Sequence, residues 1–230
     1  CMINGSFDPG ISDLHNVAGI WNETGGVFQP TDGTFTFSGT GGKTIVQNAG
    51  NNFFGLTIAS GGTNKISANS DISVGGVFTN TNGTFDTEGN TVTVTGATNI
   101  DGGILEIAAG IFDADGDFDA TGQTVTFTGN GTLKLGGDAG KGLTPNLGTL
   151  NDFDGGDVTT GTVIYDNQGG DQAIYANSLK YFNLTIDNNG QNASAPVGSA
   201  LEVLGDLTIT TGKLTLDNAQ SLTLAGNFLL

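Results

Sequence analysis

The chain has 230 residues, enough for one elongated domain or two small ones. Nineteen Asp and four Glu stand against six Lys and no Arg, a formal net charge of −17, which repels nucleic acid and anionic membrane, so nucleic acid is not expected as a partner. Forty glycines suggest low complexity, but 36% of the residues are hydrophobic and recur in short, regular packets, as in a folded, turn-rich, all-β protein.

Cys1 is the only cysteine, so an intrachain disulfide is excluded. Its position fits either the lipid-modified first residue of a processed bacterial lipoprotein or simply the place where the sequence begins. No apolar run approaches the ~20 residues of a membrane-spanning helix. Residues 1–20 read as an irregular N-terminal segment or cap, with Phe7-Asp8-Pro9-Gly10 as a turn. His15, the sole histidine, has no ligand partners at metal spacing and is expected at the surface.

From Trp21 onward, packets of three to five residues alternate apolar side chains with Thr or Ser. Examples are Thr34-Phe35-Thr36-Phe37, Leu56-Thr57-Ile58, Val92-Thr93-Val94, Val125-Thr126-Phe127 and Leu222-Thr223-Leu224. Period-two alternation marks half-buried strands, and the Gly, Asn and Asp between them suit tight turns. The apolar member of each packet is expected to point inward and the Thr outward.

A duplication organises these packets. Phe53-Phe54-Gly55-Leu56-Thr57-Ile58 returns in the second half of the chain as Tyr181-Phe182-Asn183-Leu184-Thr185-Ile186, and residues 33–96 as a whole are echoed in 161–230. A shorter echo relates Phe85–Gly96 to Phe118–Gly129. Near the C-terminus the packets begin at Leu201, Leu207, Leu214, Leu222 and Phe228. Three such steps sum to about twenty residues, one coil of a three-sided parallel β-helix. The fold expected is therefore an all-β, single-chain parallel β-solenoid of about ten coils, three short strands per coil, right-handed by the usual crossover rule. Residues 21–136 form a first half-solenoid, 137–160 an irregular loop or junction containing Pro145, and 161–230 a second half.

Trp21, Gly25-Gly26-Val27-Phe28, Gly33-Thr34-Phe35-Thr36-Phe37, Lys43-Thr44-Ile45 and Phe53–Ile58 run in an order that resembles the repeats of large secreted bacterial surface proteins, the adhesin-like, filamentous-haemagglutinin-like β-helices. The likeness covers most of residues 21–230 and lies in glycine, threonine and apolar positions. It implies an extracellular or cell-surface, structural or adhesive role, and it carries no catalytic residues.

The sharpest local cluster is Asp113-Ala114-Asp115-Gly116-Asp117-Phe118-Asp119. Alternate carboxylates of Asp113, Asp115 and Asp117 fit a Ca²⁺ site or a solvated acidic face at a turn. The spacing departs from an EF-hand loop, with glycine fourth and Thr124 at the twelfth position. Asp152, Asp154 and Asp157 form a weaker cluster. Asn-x-Ser/Thr sequons, among them those at Asn22, Asn82, Asn130, Asn183 and Asn192, are expected by chance in a chain this rich in Asn and Thr. No cofactor is required. Catalysis is not expected: polysaccharide lyases of this architecture need a clustered cationic base, glycosidases need convergent carboxylates, and one His with one Cys leaves no nucleophilic triad.

Two functions follow. Phe228-Leu229-Leu230 places an apolar strand on the last coil, an assembly interface through which copies stack end to end into a fibre or surface layer. The alternative is a segment of a large adhesin that binds glycan or host surface along its lateral face.

Overall fold

The computed structural model describes residues 6–7, 9, 14–28, 30–136, 142, 144–152, 158–176, 179–195, 200–216 and 220–230. Every strand pairing among them is parallel, and the strands stack as a β-solenoid of about nine turns, without helices. The chain visits three faces in a fixed order. The first face carries Leu14–Val17, Thr34–Gly39, Gly55–Ser60, Phe78–Asn82, Thr98–Ile100 and Phe118–Asp119. The second carries Trp21–Asn22, Lys43–Val46, Lys65–Ala68, Thr84–Asp86, Ile104–Ala108, Thr124–Thr128 and Thr149–Asp152.

The third face is the longest. It runs through Ile72–Val74, Thr91–Val94, Ile111–Ala114, Thr132–Leu135, Thr162–Tyr165, Asn183–Ser194, Leu207–Thr215 and Phe228–Leu229. Gln172–Ala173 pairs with the far end of Asn183–Ser194. In the upper turns a three-stranded sheet of Lys180–Tyr181, Leu201–Val203 and Leu222–Leu224 takes the second-face turn. At the bottom, Ser6–Phe7 pairs with Val27–Phe28.

Alternation drives burial, as the packets imply. In Thr34–Gly39, Phe35 and Phe37 are buried while Thr34, Thr36 and Ser38 face outward. Stacked turns bring the inward positions into columns: His15, Phe35, Leu56, Phe78, Thr98 and Phe118 lie one above another on the first face. Aromatic rings lock these columns together, with Phe78 5.0 Å from Phe85 and 5.4 Å from Phe112. Not every inward position is apolar. Thr98 and Asn80 also point inward and are fully buried, and Asn80 Nδ2 donates to the Ile104 carbonyl at 2.9 Å.

Turn length is not fixed. Phe78, Thr98 and Phe118 follow one another at even steps, whereas the step from Ile66 to Phe85 is slightly shorter and that from Thr132 to Thr162 half as long again. Long turns leave about nine coils where a constant period gives ten. The expected junction at 137–160 lies partly outside the described residues. The third-face ladder nevertheless passes directly from Thr132–Leu135 to Thr162–Tyr165, so both halves share one sheet.

The duplication does not superpose face on face. Gly55–Ser60 lies on the first face and its counterpart Asn183–Ser194 on the third; Thr91–Val94 and its echo Thr124–Thr128 also occupy different faces. What repeats is a corner. Gly76 donates its N–H to the Phe54 carbonyl at 2.7 Å and Gly96 to Gly76 at 3.1 Å; Gly205 donates to Phe182 at 2.7 Å and Gly226 to Gly205 at 3.1 Å. The column demands glycine, since a Cβ at Gly116 would stand 2.1 Å from the Gly96 carbonyl oxygen and one at Gly226 2.3 Å from that of Gly205.

Candidate functional site

On the side wall two lysines each bridge a pair of carboxylates from neighbouring turns. Lys65 Nζ lies 2.7 Å from Asp86 and 2.8 Å from Glu106, carboxylates on the next two turns of the second face. Lys134 repeats the arrangement on the third face, 3.0 Å from Asp113 below and 2.9 Å from Asp166 above. Parallel stacking brings like charges to neighbouring turns, and one ammonium between two carboxylates relieves that repulsion. Burial pulls the Lys134 ammonium down, but its hydrogen bonds and ion pairs with Asp166 and Asp113 outweigh this and hold it at about 12. Lys65 is likewise held above its ordinary value by Asp86 and Glu106 against burial. Asp166 moves the other way: burial raises its carboxyl despite the opposing pull of Lys134. One oxygen each of Asp113 and Asp166 is buried without a hydrogen-bond partner.

Other aspartates close the corners. Asp71 accepts the Thr91 N–H at 2.8 Å, Asp171 that of Asn192 at 2.9 Å, and Asp206 that of Asn227 at 2.8 Å. Each carboxylate thus satisfies a backbone donor one turn above, where the sheet hydrogen bonding breaks at the bend. Part of the acidity is in this way structural.

The three sequence candidates for Ca²⁺ divide among such roles. Asp113 lies on Ile111–Ala114 and faces Lys134. Asp115 donates its N–H to the Val94 carbonyl, and Asp117 accepts the Gly142 N–H at 3.2 Å. Among the described residues no three His, Cys, Asp or Glu side chains gather as a metal ion requires. Asp154, Asp157 and Cys1 lie outside the described residues.

Grooves indent the wall, two of them lined wholly by described residues. One of about 340 Å³ borders Gln47, Asn51, Asp71 and Thr93, and its only carboxylate, Asp71, is the corner acceptor for Thr91. The other, about 260 Å³, follows the corner past Gly83, Gly103 and Thr124 and is lined by no ionisable side chain.

Trp21, Tyr165 and Tyr181 are withdrawn from the wall, whereas Phe54 is exposed on it. Tyr165 and Tyr181 are fully buried with hydroxyls 2.8 Å apart; Tyr181 donates to the Tyr175 carbonyl, and Tyr165 accepts the Tyr175 N–H at 2.9 Å. Burial raises both phenols above their ordinary range. Trp21 packs inward against Phe28, Phe35 and Phe53, and its Nε1 donates to Glu23 at 2.8 Å. His15 departs from its expected place at the surface. It is half-buried, occupies the inward column beneath Phe35, and stacks on that ring at 4.5 Å.

Exposed apolar side chains stand on the wall at Phe54, Val77 and Ile104 and at both ends. At the upper end Phe228 is 53% exposed, Leu229 45% and Leu230 91%, beside Leu222 at 37%. Phe228 and Leu229 pair on one side with Leu207 and Thr208, and among the described residues no strand lies on their other side. At the lower end Leu14, Ile20 and Val27 are exposed. The sequence marked the upper surface through its terminal apolar packet, but missed the two lysine bridges. Their signal is the coil period itself, since Asp86 and Asp113 each stand one coil along the chain from the lysine they meet.

Comparison with known proteins adds no relative: no family model, no curated protein and no solved structure matches the chain.

Proposed function

We propose that the protein is a non-catalytic structural subunit of a bacterial extracellular or cell-surface layer, a solenoid whose copies stack end to end. The observation that carries this reading is the segregation of surfaces. The side wall is acidic and exposes scattered large apolar side chains at Phe54, Val77 and Ile104, whereas Phe228, Leu229 and Leu230 are exposed together, and among the described residues no strand pairs with the outer edge of Phe228–Leu229. An open edge of this kind templates a further strand, and a head-to-tail contact that does not close builds a filament. A net charge of −17 opposes side-by-side clustering, which leaves the ends as the favourable contacts.

The glycan-binding alternative needs aromatic platforms on the lateral face. Tyr165 and Tyr181 lie in the core and Trp21 packs inward, so these rings support the interior rather than a sugar. Sedimentation velocity over a concentration series tests the proposal. Association that grows with concentration and is abolished by Phe228→Asp supports it. A strict monomer that binds a polysaccharide overturns it in favour of the adhesin.

A further inference from the structure

We propose that Asn189 is a self-modifying site: it loses its side-chain amide to the neighbouring peptide nitrogen and ages into aspartate and isoaspartate, adding a negative charge to the wall. The chemistry needs an asparagine followed by glycine, and the fold decides which such pair is able to use it.

The reaction needs only solvent. The Gly190 backbone nitrogen gives up its proton to a solvent base and bonds to Asn189 Cγ. The Cγ–Nδ2 bond breaks, ammonia leaves, and a succinimide ring closes. Water then opens the ring. Attack at Cγ leaves aspartate; attack at the Asn189 backbone carbonyl carbon leaves isoaspartate, with the chain rerouted through Cγ. Glycine favours closure because no side chain screens its nitrogen or restricts its backbone. The peptide between the two residues must turn until the nitrogen faces Cγ, so a site clamped by packing or ladder bonds waits for local opening.

Asn-Gly occurs at Asn4, Asn82, Asn130 and Asn189. Asn4 lies outside the described residues. Asn82 closes the strand Phe78–Asn82 and pairs with Ala59. Its Oδ1 accepts the Gly83 N–H at 2.9 Å, and the Gly83 carbonyl accepts the Ile104 N–H at 2.8 Å. Gly83 is buried, and a Cβ there would stand 2.3 Å from Ser60 Oγ and 2.8 Å from the Asn64 carbonyl oxygen. Gly131 is clamped in the same way. A Cβ on it would stand 2.2 Å from the Ile107 carbonyl oxygen, and its own carbonyl accepts the Thr162 N–H at 2.9 Å. Neither peptide turns without parting from the turns beside it.

Asn189 stands apart. Asn189 and Gly190 are both exposed, at φ 42° and 83°, the central pair of a tight corner. The ladder between Asn183–Ser194 and Leu207–Thr215 skips them: Asp187 pairs with Thr211, and pairing resumes at Asn192 with Lys213. A Cβ on Gly190 would meet nothing within 4 Å. Asn189 is held by its N–H to Thr211 Oγ1 at 2.9 Å and by Nδ2 to the Gln168 carbonyl at 3.4 Å, and neither bond involves the Gly190 nitrogen. Reaction removes the Nδ2 donor and sets a carboxylate against the Gln168 carbonyl. The corner already carries Asp187, which accepts the Thr211 hydroxyl at 2.8 Å, and Asp171, which accepts the Asn192 N–H at 2.9 Å. Like charges on neighbouring turns repel, so the product loosens this corner.

The test incubates the full 230-residue chain, folded and in urea, in mildly alkaline buffer made with heavy-oxygen water, and maps its peptides by mass spectrometry. In the folded chain Asn189 should take up solvent oxygen at least about tenfold faster than Asn82 or Asn130, which wait for local opening. Its rate should rise with pH, as base removes the Gly190 proton. In urea the three rates should converge, because the chemistry is then the same at each. Asn189→Gln, whose longer side chain closes a larger ring, should suppress the reaction at this position. Asn189→Asp, which stands for one product, should lower the urea midpoint. The proposal is overturned if Asn189 survives in the folded chain while it reacts in urea, or if Asn82 or Asn130 reacts as fast as Asn189 in the folded chain. A midpoint unchanged in Asn189→Asp would refute the loosening.

Discussion

Replacing Lys134 with methionine strips two stacked carboxylates of their shared counter-ion while keeping the length of the side chain. Asp113 and Asp166 are 18% and 7% exposed in their side chains, and each keeps one buried oxygen without a partner. Removing one member of a buried ion pair costs about 3–5 kcal/mol, and the 30% exposure of the Lys134 side chain places Lys134→Met near ~3 kcal/mol. The sign with pH follows from Asp166, whose carboxyl burial already raises. A carboxylate raised in the fold destabilises it at high pH, and the penalty disappears as falling pH protonates the group. The gap between parent and variant in urea melts should therefore be largest at neutral pH and narrow on acidification. Lys134→Met combined with Asp113→Asn and Asp166→Asn should return to within about 1 kcal/mol of the parent, since the uncompensated charges are gone. A neutral-pH loss below ~1 kcal/mol, or a gap that does not shrink in acid, would refute the bridging role assigned to Lys134.

Gly116→Ala puts a Cβ 2.1 Å from the Gly96 carbonyl oxygen. Separating the two turns should cost about 1–3 kcal/mol in a urea melt, and a neutral effect would mean that the column is loosely packed. Phe112→Ala empties a fully buried site between Phe78 and Phe118 and should cost about 3–5 kcal/mol. In alkali, Tyr165 and Tyr181 are raised from an ordinary 10.0, and Lys134 from 10.5 to about 12. All three groups hold their protons longer folded than unfolded, so their contribution persists below about pH 10 and is lost as pH rises towards 12; circular dichroism against pH reads this directly, and a decline that begins near neutrality would contradict it. Calorimetric titration with Ca²⁺ addresses Asp113, Asp115 and Asp117: the ladder roles of Asp113 and Asp117 predict no heat, whereas binding lost in Asp117→Asn would establish a metal site.

Strands were legible because alternation is a local property. Thr34-Phe35-Thr36-Phe37 states which side chains are inside, and the solenoid obeys it. The assignment of strands to faces was not legible, because turn length varies between corners. The phrases at Phe53 and Tyr181 match in sequence yet open strands on different faces. The lysine bridges stayed hidden for the same reason: Lys134 and Asp166 become neighbours only through a long turn whose register the sequence leaves open. His15 was misplaced because polarity argues for the surface, while stacking beneath Phe35 draws its ring inward. Phe228 and Leu230 were readable as an apolar end.

Cryo-electron microscopy of the purified chain at high concentration tests the central claim most directly. The account predicts filaments one solenoid wide, in which strands spaced ~4.8 Å apart run unbroken across each subunit boundary. Discrete particles, or sheets of solenoids joined along their acidic walls with Phe228 and Leu229 still bare, would contradict it.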